Sequence, residues 1–218
     1  LRLSGGANAQ TLLPLIAVIG YLLAAAIALI LPAVGYRLLG LTLLMATASV
    51  LRVDIARRTV RTTGVTRYMA VAMLAGYAWL LVAGATWLLG GAVWQGRGYD
   101  AVLHAVFLGF VISMIMAHAP VILPAVIRRP LPYHPAMYGP LALLHVSLLV
   151  RALIGDAWDV PLAVQIGGVG NILAVLGFLA IALTQVVRGT SSASASASVT
   201  AAVSVSASTP SPALQESS

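Results

Sequence analysis

The sequence predicts an all-α, polytopic transmembrane helical bundle of about six spans with a disordered C-terminal tail. Three observations carry that prediction. Hydrophobic residues make up 61% of the 218-residue chain and charged residues only 8%. Soluble domains carry about 25% charged residues, so this chain has too little charge to coat a water-facing surface. The apolar residues also fall into runs of about 20, the length a helix needs to cross a bilayer. Helices satisfy their own backbone polar groups in lipid, which makes them the expected element.

The first run, roughly Thr11 to Val34, is long enough to span. "LRLSGGANAQ" before it lacks the signal-peptide order of charge, apolar core and cleavage site, so the run is read as a retained helix. The second, Arg37 to Ala56, has the shortest clean core, "LLGLTLLMATASVL". If it lies flat on the membrane, the count falls to five. The third runs from Tyr68 to Trp94, with Trp87 and Trp94 suited to an interfacial belt. The fourth (Tyr99 to Ile127), fifth (His134 to Gly155) and sixth (Val160 to Val187) complete the membrane domain, residues 1–189. The remainder, 190–218, is Ser/Ala-rich, with side chains too small to bury a core, and is expected to be disordered.

All twelve basic residues are arginine, against five acidic residues. Six spans gather Arg2, Arg52, Arg57, Arg58, Arg61, Arg67, Arg128, Arg129 and Arg188 on one side. Arg37, Arg97, Asp100, Asp156 and Asp159 fall on the other. The positive-inside rule then places both termini in the cytoplasm of a bacterial-type inner membrane. It also explains the net charge of +7 without a nucleic-acid partner. The absence of cysteine excludes disulfides, thiolate-held clusters and covalent c-type heme attachment. No Walker motif, H-E-x-x-H or paired intramembrane carboxylates are present.

Intramembrane ionisable residues are the candidate functional groups, because they are costly there. His104 and His118 are 14 residues apart, which on an ideal α-helix puts them within roughly 40° of each other and about 21 Å apart. The stripe His104, Leu108, Val111, Ile115, His118 would share one face, with Pro120 and Pro124 bending the helix beyond it. Folding the fifth span back through "RRPLPY" puts His118 and His145 at one depth, roughly 14–16 Å from the surface. Two imidazoles at one level suit axial ligation of heme b, or a copper or iron site. A buried histidine hydrogen-bonded to a neighbouring carbonyl or hydroxyl is the alternative. Arg151 shares a layer near the opposite surface with His104 and Gln165. It would clamp a propionate or an anionic substrate, or else pair with Asp156 or snorkel outward. Asn171 lies level with His118 and His145 and would orient an imidazole, or serve as interhelical glue with Gly167, Gly168, Gly170 and Ala174. His134 reads as a loop residue, and Met114 and Met116 as packing.

His104-Ala105, Gly109, the "MIM" at Met114 to Met116, His118, Arg129-Pro130-Leu131 and "LALLHVSLLVR" ending at Arg151 form a connected set. Over residues 104–151 this set resembles the NnrS family, heme- and copper-containing membrane proteins linked to nitric oxide stress. The resemblance implies heme at His104, His118 and His145, and a role in electron transfer or in handling a diatomic gas. It transfers no specific copper ligands. A small transporter or channel, and a non-catalytic subunit alongside other membrane subunits or a redox partner, are the competing readings.

Overall fold

The computed structural model describes residues 7–128 and 133–208; side chains are described for residue 12 and from 15 to 188 within these. Every regular element among them is helical. α1 (Ala7–Ile30) and α2 (Pro32–Val53) are joined by the single residue Leu31. Pro32 stops α1 because it cannot continue the ladder, and opens α2 because its first-turn N–H is not needed. After α3 (Ala56–Thr59) comes α4 (Gly64–Gly90). The next helix is continuous but changes its ladder. It runs as α5 (Gly96–His104), a π-helical segment (Ala105–Ile112) and α6 (Ser113–Ile127). A 3₁₀ turn (Pro135–Met137) leads into α7 (Tyr138–Leu149), which passes into a second π-helical segment (Val150–Asp156). α8 (Pro161–Ser208) ends the described chain.

Five of these helices are long and apolar enough to cross a membrane: Pro32–Val53, Gly64–Gly90, Arg97–Ile127, Pro135–Asp156 and Pro161–Arg188. Leu15–Ile30 is a shorter apolar helix. The second run is therefore a helix long and apolar enough to span. It gains its length by starting at Pro32, five residues before the expected Arg37. α8 continues past Arg188 into the Ser/Ala segment as far as Ser208. The span has already met the nucleation cost, and alanine is the best helix former, so further turns add readily. The rest of the predicted tail, 209–218, lies outside the described residues.

Consecutive helices pack antiparallel, and small residues set the close approaches. A Cβ at Gly35 would lie 2.2 Å from the Ala28 backbone, and one at Gly40 would lie 2.4 Å from the Leu88 nitrogen. Lipid offers no hydrophobic drive for helix association, so close van der Waals contact of this kind supplies it. Leu22, Leu23 and Ile172 are among the many large apolar side chains facing outward, as lipid contact requires. The main core joins Tyr68, Met116, Met137, Leu144, Ala174 and Phe178 from α4 to α8. A second joins Trp79, Ala83, Val102, Ala105 and Leu148. Met116 is 1% exposed, as expected for packing.

The charge segregation read from the sequence is visible in space. Arg97, Asp100, Asp156 and Asp159 cluster at one end of the bundle. Arg52, Asp54, Arg57, Arg58 and Arg61 cluster at the end of α2, where Asp54 accepts a 2.6 Å hydrogen bond from Tyr77.

Candidate functional site

At the first of these ends, α5 brings Asp100 and His104 together on successive turns, as residues four apart must be. His104 Nδ1 lies 2.8 Å from the Asp100 carbonyl oxygen and 3.3 Å from its carboxylate. Arg151, from the second π-helical segment, reaches across and pairs its Nη2 with Asp100 Oδ2. Its Nη1 donates to the Val164 carbonyl on α8 at 3.2 Å. The Arg151 side chain is only 13% exposed. The sequence offered Asp156 as its counter-charge, but Asp100 takes that place. Arg97 pairs with Asp159 and donates to the Gly155 carbonyl at 2.7 Å, tying the last turn of this helix to α5. A 550 Å³ pocket opens among Arg97, Tyr99, Asp100, Asp156 and Gln165. Arg151 Nε and Asp156 Oδ2 are buried here without a hydrogen-bond partner. The expected layer of His104, Arg151 and Gln165 is thus assembled, with Asp100 as the hub that sequence reasoning missed. Its signal was the i,i+4 spacing to His104.

His145 has a different environment from the one expected. The Trp79 indole N–H donates to its Nδ1 at 3.0 Å. Its Nε2 lies 3.4 Å from Ser113 Oγ, whose own hydroxyl donates to the Gly109 carbonyl at 2.7 Å. An indole can only donate, so Nδ1 carries the lone pair and Nε2 the proton. A neutral imidazole in this state has no second lone pair for a metal. The residues around His145 therefore do not fit it as a heme or metal ligand, and the buried-histidine alternative describes it.

His118 is not level with His145. His145 faces Ser113, five residues earlier, about 7.5 Å along the helix. By this register α6 overhangs the start of the fifth span by about one turn, because it runs on through Pro120 and Pro124 to Ile127. Depth counted from the loop therefore misplaced His118. The shared stripe fails for a second reason. The π-helical segment winds more loosely than an α-helix. Leu108 and Ile112 turn with His104 toward α8, while Val111 and Ile115 face outward. Both histidines of this helix do share one feature. Each places Nδ1 2.8 Å from the carbonyl four residues back, Asp100 or Met114. That contact fixes the proton on Nδ1 and leaves the Nε2 lone pair available, the tautomer seen in most metal-ligating histidines.

His104 borders a 440 Å³ groove between this helix and α8, lined by Leu108, Ile112, Gly168, Asn171 and Leu176. Asn171 is 3% exposed. Its Oδ1 accepts the Ser147 hydroxyl at 2.6 Å, so it orients no imidazole. Its Nδ2 is buried with no partner. A Cβ at Gly168 would lie 3.4 Å from Arg151 Nη1, so the guanidinium packs against one of the glycines of the groove wall. Gly167 and Gly170 press on Ser147 and Arg151 and act as the expected glue. His134 sits before the 3₁₀ turn and accepts from Ala136 N–H at 3.1 Å, a capping role. Among the described residues, no three His, Asp or Glu side chains gather as a metal cluster. His104, with its Nε2 lone pair uncommitted, is the histidine that borders an apolar groove.

The fold and this polar layer define a multi-span helical membrane protein with an ionisable site set inside its bundle. The chain belongs to the family described as a domain of unknown function, DUF8744, whose family model matches residues 2–187. No curated protein and no solved structure matches it.

Proposed function

We propose that this protein binds heme b in the groove between α5–α6 and α8. His104 Nε2 is the iron ligand, and Arg151 is the cation nearest the propionates. The carrying observation is the groove itself. It sets an imidazole in the ligating tautomer beside apolar walls of Leu108, Ile112 and Leu176. One histidine leaves the opposite iron face open, which suits a diatomic gas such as NO, and a bound heme supplies one-electron chemistry. The resemblance of residues 104–151 to the NnrS family supports the same reading. The arginine distribution supports both termini in the cytoplasm, the membrane is taken as a bacterial inner membrane, and a redox partner or further subunits would supply electrons. His118 is a second candidate ligand from its tautomer alone.

The test is a reduced-minus-oxidised absorption spectrum of the purified protein with His104→Ala, His118→Ala and His145→Ala. A b-type band lost in His104→Ala and kept in His145→Ala supports the reading. A heme-free protein after heme-supplemented expression removes it. A transporter is the second reading, favoured by the buried, unpartnered Asp156 Oδ2 at the 550 Å³ pocket and by the buried, unpartnered Arg151 Nε on the helix segment that carries Asp156. Substrate flux in proteoliposomes without a chromophore would select it.

A further inference from the structure

The pocket at the other end of the bundle is charged, and the site above does not use it. It has a volume of 720 Å³ and is lined by Arg52, Val53, Asp54, Ile55, Arg57, Arg58 and Arg61, where α2 ends and α3 follows. Four guanidinium groups surround one carboxylate, and that carboxylate is engaged elsewhere. Asp54 Oδ1 accepts the Ala56 N–H at 2.7 Å, and Oδ2 accepts the Tyr77 hydroxyl at 2.6 Å. Among the described residues, none of the four arginines forms an ion pair. Arg57 makes one long contact, 3.5 Å to the Leu51 carbonyl. Val53 and Ile55, 65% and 70% exposed, lie in the same wall.

We propose that this pocket binds the phosphodiester headgroup of an anionic membrane phospholipid. Guanidinium groups match phosphate oxygens in geometry and charge. Unpaired positive charge at the end of a membrane helix is stabilised by anionic lipid. Val53 and Ile55 distinguish a lipid from a soluble anion, because exposed apolar side chains beside the arginines suit the glycerol and upper acyl chains. Asp54, held by Tyr77 on α4, fixes the turn that converges the arginines, so the pocket is anchored to the bundle.

The experiment uses the full chain in neutral detergent. Thermal stability is followed as phosphatidylglycerol, phosphatidylcholine or inorganic phosphate is added. The expected result is a saturable rise with phosphatidylglycerol alone. Each arginine removed by Arg57→Gln, Arg58→Gln or Arg61→Gln should weaken the apparent affinity about fivefold. Arg67→Gln, whose side chain lines a different pocket at the same end, should leave it unchanged. Three separate single variants keep the measurement open if one of them does not fold. An equal rise with phosphatidylcholine overturns the proposal, as does an unchanged response in all three variants. A full response to inorganic phosphate overturns the lipid assignment.

Discussion

Gly167→Ala tests the helix contact that holds the polar layer together. A Cβ there would lie 2.6 Å from Arg151 Cβ, 2.7 Å from the Ser147 carbonyl oxygen and 3.1 Å from Arg151 Cα. Favourable contacts between carbon atoms begin near about 3.5 Å, so α8 must retreat from the fifth span by about 1 Å. Two of the three obstructing atoms belong to the backbone and cannot rotate away. The 2.6 Å bond from Ser147 Oγ to Asn171 Oδ1 crosses this interface and would be stretched past hydrogen-bond range. Overpacking costs about 1–3 kcal/mol. Alanine returns up to about 1 kcal/mol through its helix propensity. The net expectation is a loss of about 1–2 kcal/mol, or roughly 3–6 °C in melting temperature for a chain this size. The assay is thermal unfolding in one detergent, beside Gly177→Ala on the same helix. A Cβ at Gly177 would meet Pro140 at an ordinary 3.7 Å, so that variant should be neutral or more stable. If the two variants shift alike, the close approach at Gly167 is wrong.

Three further outcomes are expected. Trp79→Phe keeps an aromatic side chain but loses part of the indole, including the N–H that donates to His145 Nδ1. It should cost about 1 kcal/mol in thermal stability, and no loss of stability would show that the bond is absent. Asp100→Leu leaves the largely buried Arg151 without its counter-charge and should destabilise by about 2 kcal/mol, while Asp100→Leu with Arg151→Leu should recover part of that loss. A double variant no better than the single one would show that the pair is not coupled. The chain has no cysteine, so Thr62→Cys and Gln95→Cys can each be labelled alone. They flank α4 and should react with an impermeant thiol reagent from opposite faces; labelling from one face would refute the crossing.

The helical membrane class was legible because it rests on bulk properties: too little charge, and apolar runs of spanning length. The layer of His104, Arg151 and Gln165 was legible for a related reason. Each was counted over about five residues from the end of its expected span, so little error builds up in counting depth. His118 and His145 were counted over nine and eleven residues, across a helix holding two prolines and past a turn of unknown height. The error reached more than a turn, enough to pair the wrong groups. The π-helical segment was illegible because a change from i→i+4 to i→i+5 bonding leaves no mark on hydropathy. Asn171 drew attention as a polar residue in lipid, but its partner Ser147 did not. A serine can give its one proton to a carbonyl of its own helix, as Ser147 can to that of Leu143 in place of Asn171, so it costs little in lipid and draws no notice.

The π-helical stretch Ala105–Ile112 lies between His104 and His118 of one helix. A π turn takes up more residues than an α turn over the same circuit, so this stretch acts as slack in the chain. Removing one residue from it would tighten the ladder toward α while both flanking helices kept their seats in the bundle. Relatives that differ by a single residue here can therefore keep the same architecture and still aim His104 and His118 at different neighbours. The count of residues between His104 and His118 does not by itself set the angle between their side chains.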